Sequence, residues 1–340
     1  MMTLPWLDLP LVWGGLIAFA VLAYVVLDGF DLGTGILFAV ERRTEDRAVM
    51  MNTIAPVWDG NETWLVLGGG GLFAVFPLAY AVIMPAFYPT IIGMLLALVF
   101  RGVAFEFRFR AVTARGRAAW EFAFLAGSTL AAFAQGLTLG GLLQGVRVVG
   151  GAYAGGWWDW LTGFTILCGI ALVIGYALLG ATWLVWRTEG DLQRRCRRHA
   201  RALGAATLAL IVVVSLWTPM LNPTFAHRWF GWPGILLTSP VPVLVVLLAW
   251  GFWLGLRHGH HVTPFLCALG WFALCYAGIA ISLYPYIIPP GITFRDAAAP
   301  PESQAFLLVG AVVLVPIILA YIAYAYYVFR GKVQHGEGYH

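Results

Sequence analysis

TWLVLGGGGLFAVFPLAYAVIMPAFYPTIIGMLLALVF (Thr63–Phe100) is 38 residues without a charge, bracketed by Glu62 and Arg101. A helix crosses hydrocarbon with about 20 apolar residues, so the stretch is too long for one crossing. Two crossings and a turn need roughly 45 residues. Two therefore fit only if charged residues enter the membrane or its boundary: Asp59 and Glu62 at one end, Arg101 and Glu106 at the other. Pro77, Pro85 and Pro89 interrupt the run. Arginines flank it on both sides, Arg42, Arg43 and Arg47 before it and Arg108, Arg110, Arg115 and Arg117 after it. If both clusters lie on the cytoplasmic side, the number of crossings between them is even.

Working outward, seven further charge-free runs are each long enough for one crossing. They lie between Asp8 and Asp28, Glu121 and Arg147, Asp159 and Arg187, Arg201 and His227, Arg228 and Arg257, His261 and Arg295, and Glu302 and Arg330. The expectation is an all-α membrane protein of nine transmembrane helices, with the N-terminus outside and the C-terminus cytoplasmic. That topology puts seventeen of the twenty Lys and Arg residues inside and only Arg147, Arg228 and Arg295 outside. The expected spans are roughly 9–40, 54–81, 84–106, 119–145, 160–186, 202–224, 235–256, 264–288 and 303–329, in one polytopic membrane domain over 1–340.

Composition agrees. Hydrophobic residues make up 61% of the chain and charged residues 11%, against about 25% in soluble proteins. Mean hydropathy is +0.83. A water-soluble enzyme, a nucleic-acid binder and a disordered chain are all excluded. The first ten residues carry no basic segment ahead of the apolar run, so no cleaved leader is expected.

Four acids then stand out. Asp28 and Asp31 are three apart on one face of the first helix, and Asp59 and Glu62 repeat that spacing at the start of the second. Ionised carboxylates are expensive to bury, so acids in spans face a bundle interior and often mark proton or ion paths. With Arg101 as a counter-ion, the four fit proton uptake from the cytoplasmic side. Two plainer readings stand beside this one. Glu62 suits an interfacial cap that complements the helix dipole. Asp28 and Asp31 suit a structural lock onto Arg101.

Other residues carry less. Cys168, Cys196, Cys267 and Cys275 have no metal-binding spacing and read as small buried side chains. No histidine falls within an expected span: His199, His258, His260, His261, His335 and His340 fall in cytoplasmic loops or the tail, and His227 outside. No metal site and no phosphate-cradling loop is expected on this chain. Gly29 and Gly33, Gly136 and Gly140, and the run Gly68–Gly71 signal close helix packing.

Several motifs resemble subunit II of cytochrome bd-type quinol oxidases. DGFDLG (Asp28–Gly33) is similar to the family's first-helix signature, as is the longer NTIAPVWDGNETWL (Asn52–Leu65). FRGVAFEFR (Phe100–Arg108) resembles its third-helix end and LLQGV (Leu142–Val146) its fourth. The run Ser303–Phe329 is similar too, and the resemblance spans all nine crossings in order.

The resemblance implies a respiratory complex in the bacterial cytoplasmic (inner) membrane. It oxidises quinol near the outer face and reduces dioxygen to water with cytoplasmic proton uptake. A haem-bearing subunit I would ligate the b-type haems and haem d, leaving this chain without catalytic residues, cofactor ligands or metal. Partners besides subunit I would be membrane lipid, quinol and small accessory subunits; some relatives hold a structural quinone in this subunit, and no motif here locates it. By resemblance Asp59 is the first candidate for a proton path, followed by Asp31 and Asp28, with Trp58 at the subunit interface. The short outside loops resemble the shorter, cyanide-insensitive branch. The competing readings are a proton-coupled secondary transporter, which would purify colourless and alone, and a purely structural membrane subunit.

Overall fold

The computed structural model describes residues 8–334. Thirteen helices and two small hairpins follow one another. Helix α1 (Leu9–Ile36) ends in a single 3-10 turn, and α2 (Thr44–Ile54) is a short helix beyond it. Then come α3 (Trp58–Val75), α4 (Pro77–Ala86), α5 (Tyr88–Arg110) and α6 (Ala114–Gln144). The hairpin β1 (Val148–Val149) and β2 (Ala152–Tyr153) leads to α7 (Gly163–Arg187) and α8 (Gly190–Leu221). Short helices α9 (Pro223–Phe230) and α10 (Gly234–Thr238) precede α11 (Pro240–His258) and α12 (Thr263–Leu283). The hairpin β3 (Tyr286–Ile288) and β4 (Ile292–Thr293) connects to α13 (Pro301–Val328).

Among the described residues, eight helices are long and apolar enough to cross a membrane, and α3 with α4 makes a ninth candidate bent by 120°. The bend has a local cause. Proline disfavours helical geometry in the residue before it, and Phe76, ahead of Pro77, sits at φ −123°, ψ 62°. The span expected over 54–81 is thus two helices at a steep angle, and its first residue, Ile54, is the last of α2. The region before it, expected as loop, is largely helical. Helix α8 begins at Gly190, so His199 lies on a helix and not in a loop. His335 and His340 fall outside the described residues.

Helix starts follow ordinary capping chemistry. Asp8 accepts from the Leu11 amide at the head of α1, and Thr162 and Thr165 form a reciprocal capping box at the head of α7. Proline opens α4, α9, α11 and α13, where its missing N–H is harmless.

Helix α7 is the centre of the bundle: 61% of its most apolar stretch is buried, against 11% for α8, α11 and α13. Its contact with α1 is backbone to backbone. A Cβ on Gly33 would lie 1.8 Å from the Tyr176 carbonyl oxygen, and one on Gly180 2.3 Å from the Gly33 carbonyl carbon. Gly136 and Gly140 seat α6 on α7 in the same way, against Cys168 and Thr165. The Gly68–Gly71 run behaves differently, since Gly69 and Gly70 have nothing within 4 Å.

The arginine-rich end is tied by ion pairs. Arg195 on α8 reaches Glu41 at 3.0 Å and Asp46 at 2.6 Å, and His199 reaches Glu41 at 3.3 Å. Glu121 on α6 holds both Arg47 at 2.5 Å and Arg108 at 2.8 Å. At the opposite end Arg295 pairs with Asp8 at 2.5 Å and holds that exposed carboxyl below the usual carboxylate range.

Candidate functional site

Glycines on one side of α1 leave its acids free to face the other. Gly29 and Gly33 lie against Tyr176 on α7, and Gly35 lies against Ser128 on α6. Asp28 and Asp31 then point toward α5 and α3. Helix α5 is itself pressed onto α6, where a Cβ on Gly127 would be 3.0 Å from the Arg101 amide nitrogen. The result is an arginine enclosed on every side.

Arg101 is 1% exposed and meets three carboxylates. Its Nη2 is 2.8 Å from Asp28 Oδ1 and 3.8 Å from Asp31 Oδ2, and its Nη1 is 3.4 Å from Glu62 Oε2. Both aspartates are fully buried, whereas the Glu62 side chain is 27% exposed. Trp58 closes another side, with the guanidinium 5.9 Å from its ring centroid and the Phe105 ring tilted against it at 5.5 Å.

Neutral polar residues complete the shell. Asn61 Nδ2 donates to Asp31 Oδ2 at 2.8 Å and to the Leu27 carbonyl at 3.3 Å. The Tyr326 hydroxyl of α13 donates to Asn61 Oδ1 at 3.0 Å. On the far side Tyr24, one turn before Asp28, lies beside that carboxylate. Gln135 of α6 donates to the Tyr24 oxygen at 2.7 Å and accepts from the Tyr176 hydroxyl at 2.9 Å. Asp28 is held by Arg101 with Tyr24 beside it, whereas Asp31 Oδ1 has no hydrogen-bond donor among the described residues. Buried carboxylate oxygens in that state are uncommon and call for a physical reason.

Of the residues singled out by the sequence, Asp28, Asp31, Glu62, Arg101 and Trp58 come together. Asp59 and Glu106 do not: both are exposed on this chain, outside the Arg101 cluster. Asp59, first in order by resemblance, stands on the outer face of the helix whose Glu62 turns inward.

The family model for cytochrome bd terminal oxidase subunit II matches residues 9–329. The chain belongs to that family. Subunit 2 of the cytochrome bd-I ubiquinol oxidase of Escherichia coli (strain K12) is 29% identical, over 95% of this chain and 94% of the relative. Cytochrome bd ubiquinol oxidase subunit 2 of Bacillus subtilis (strain 168) is 28% identical, over 96% and 97%. In fold, the bd oxidase from Geobacillus thermodenitrificans superposes with a TM-score of 0.76, at 15% identity, over 95% of this chain and 99% of that one.

This subunit II also contains site residues that a search for charges passes over. Asn61, Gln135, Tyr24 and Tyr326 are neutral. Two carried a readable signal: Tyr24 is four residues before Asp28 and so shares its helix face, and Gln135 is an amide in an otherwise apolar run. Among the described residues of this family member, no histidine is buried and no group of three or more His, Cys, Asp or Glu could hold a metal.

Proposed function

We propose that the Arg101 cluster of this subunit takes up and holds protons at the arginine-rich end of the bundle, on behalf of a haem-bearing subunit I. The chain is a subunit of a quinol oxidase complex and a multi-pass bacterial membrane protein. The finer reading is a topology with the N-terminus outside and the C-terminus in the cytoplasm, in the inner membrane. The substrate is a membrane quinol, the class named for the Escherichia coli relative.

The complex would oxidise two quinols and reduce one dioxygen to two waters. Four protons leave with the quinols outside, and four are consumed from inside. The b-type haems and haem d of the partner would supply electron transfer and dioxygen binding, and this chain would play a supporting role.

The observation that carries the proposal is one buried guanidinium shared by three carboxylates, of which Glu62 alone is partly exposed. Fully ionised, the four groups would carry a formal charge of −2 in a medium of low dielectric. Such a state is costly, and protons bound by the carboxylates relieve it. Asp31 Oδ1, which accepts no hydrogen bond among the described residues, is the atom where such a proton would sit. Glu62 would exchange with water, Asp31 and Asp28 would hold the charge inside, and Arg101 would keep one carboxylate ionised at all times. Trp58 shields this exchange from lipid. Asp59, on the outer face of α3, would serve the path from the partner's side.

The test uses assembled, haem-loaded complex. Asp31→Asn and Glu62→Gln should each slow oxygen consumption, by roughly 10²-fold for Asp31 if it acts as an acid–base group. Purely structural carboxylates give the opposite pattern: less assembled complex, but unaltered turnover in what assembles. That second pattern would overturn the proposal.

A further inference from the structure

Three arginines are buried among the described residues, and two of them meet carboxylates: Arg101 as above, and Arg108 through Glu121. The third, Arg187, is 4% exposed at the end of α7 and has no acidic partner among the described residues. Its Nη2 donates to the Phe329 carbonyl, its guanidinium lies 5.1 Å from the centroid of Trp183, and its Nε has no partner. The neighbouring acid Glu189 is engaged by Lys332 at 3.2 Å. A buried cation with no counter-ion is among the most expensive features a fold can keep, unless something outside the chain neutralises it.

The space beside Arg187 is suited to such a group. Arg187 lines a cavity of about 50 Å³, with Trp183, Trp186 and Tyr326 as walls and Arg330 at the rim. A single water needs about 10–15 Å³, so a small oxyanion fits. No Asp or Glu lines the cavity. It lies where α7 and α13 end, at the arginine-rich end of the bundle, and its Trp and Tyr residues are of the kind that mark membrane interfaces. Basic pockets between helices at that depth bind anionic lipid headgroups.

We propose that this cavity binds the phosphate of a phospholipid headgroup. Arg187 supplies the buried fork, whose planar donors match phosphate oxygens. Arg330 contributes charge at the rim, and the aromatic walls flank the glycerol end. The site shares Tyr326 with the shell of the Arg101 cluster but none of its charged groups, and lipid retention is read independently of the proton-uptake reading.

The experiment counts phospholipids retained by the purified complex after exhaustive detergent exchange, by native mass spectrometry, and follows Tm as lipid is returned. Wild type should keep one phospholipid that Arg187→Gln loses, with retention at least fivefold lower. Arg187→Lys, which keeps the charge without the fork, should fall between, and Arg330→Gln should weaken retention less. If Arg187→Gln fails to assemble, those last two variants carry the comparison. Phosphatidylglycerol vesicles should raise the Tm of wild type and not that of Arg187→Gln, while a phosphate-free glycolipid should raise neither. If inorganic phosphate at millimolar concentration gives the whole shift, the oxyanion is soluble phosphate and the lipid assignment is overturned. Equal lipid retention in wild type and all three variants overturns the site itself.

Discussion

Arg101 cannot be exchanged for a residue that merely fills its volume. It neutralises part of a cluster that would otherwise hold three unpaired carboxylates. Removing one partner from a buried ion pair costs about 3–5 kcal/mol, because the remaining charge is stranded. Arg101→Met should therefore sharply reduce the yield of assembled complex, measured as haem-loaded protein per cell mass. Arg101→Lys should assemble better, since it keeps the charge, but with a lower Tm, because one ammonium cannot serve carboxylates on two sides at once. At this scale the sequence is legible where charge contradicts its surroundings. Asp28, Asp31, Glu62 and Arg101 are conspicuous in apolar runs, and the structure joins them. Asp59 looks the same in sequence yet faces outward, because two acids three apart on a helix start can straddle the edge between an inner and an outer face. Asn61 was harder to see, since an amide beside acids is tolerated in many settings and only its partners give it meaning.

Among the elements, the α1–α7 crossing is the contact with least slack. Gly33→Ala puts a methyl carbon 1.8 Å from the Tyr176 carbonyl oxygen, a backbone atom that cannot rotate away. The helices must separate, and overpacking of this kind typically costs about 1–3 kcal/mol or more. A fall in Tm and in assembled yield is expected. Gly14→Ala on the same helix is the control, since nothing lies within 4 Å of that position and both measurements should match wild type. Small-residue spacing pointed correctly to Gly33, Gly136 and Gly140 as contact sites. It pointed equally to Gly68–Gly71, where this chain packs little against the run. Spacing reports the capacity for close approach, not whether a neighbour is there. The turn between α3 and α4 was half legible: Pro77 marked a break, but the 120° angle depends on what α4 packs against. Its inward face, Ala79 and Val82, is buried with Trp13, Val146 and Ile288 at that end of the bundle.

For the whole molecule, the uneven distribution of arginine makes the orientation testable. The four native cysteines are buried or half-buried, so background labelling should be low. A cysteine at Gly291, between β3 and β4, should react with a membrane-impermeant maleimide on intact cells. A cysteine at His260, between α11 and α12, should react only after permeabilisation. The reverse pattern would invert the proposed topology. The helical membrane class was legible throughout the chain because it rests on summed apolar length, to which each residue adds a little. The short helices α2, α9 and α10 were not, since each is under twelve residues and their order comes from tertiary packing rather than intrinsic helix strength.

The amide of Asn61, set between a phenol and a carboxylate, has a consequence for energy conservation. Its oxygen takes the Tyr326 hydrogen and its nitrogen presents a hydrogen to Asp31. A hydroxyl or a carboxyl in that position could pass a hydrogen ion along the row, whereas an amide would first have to become its far less stable imidic tautomer. The contact holds the aspartate in place and insulates it from the Tyr326 side. Under the proposed uptake, hydrogen ions would then be kept from the α13 flank, and the voltage earned by respiration would not drain back that way.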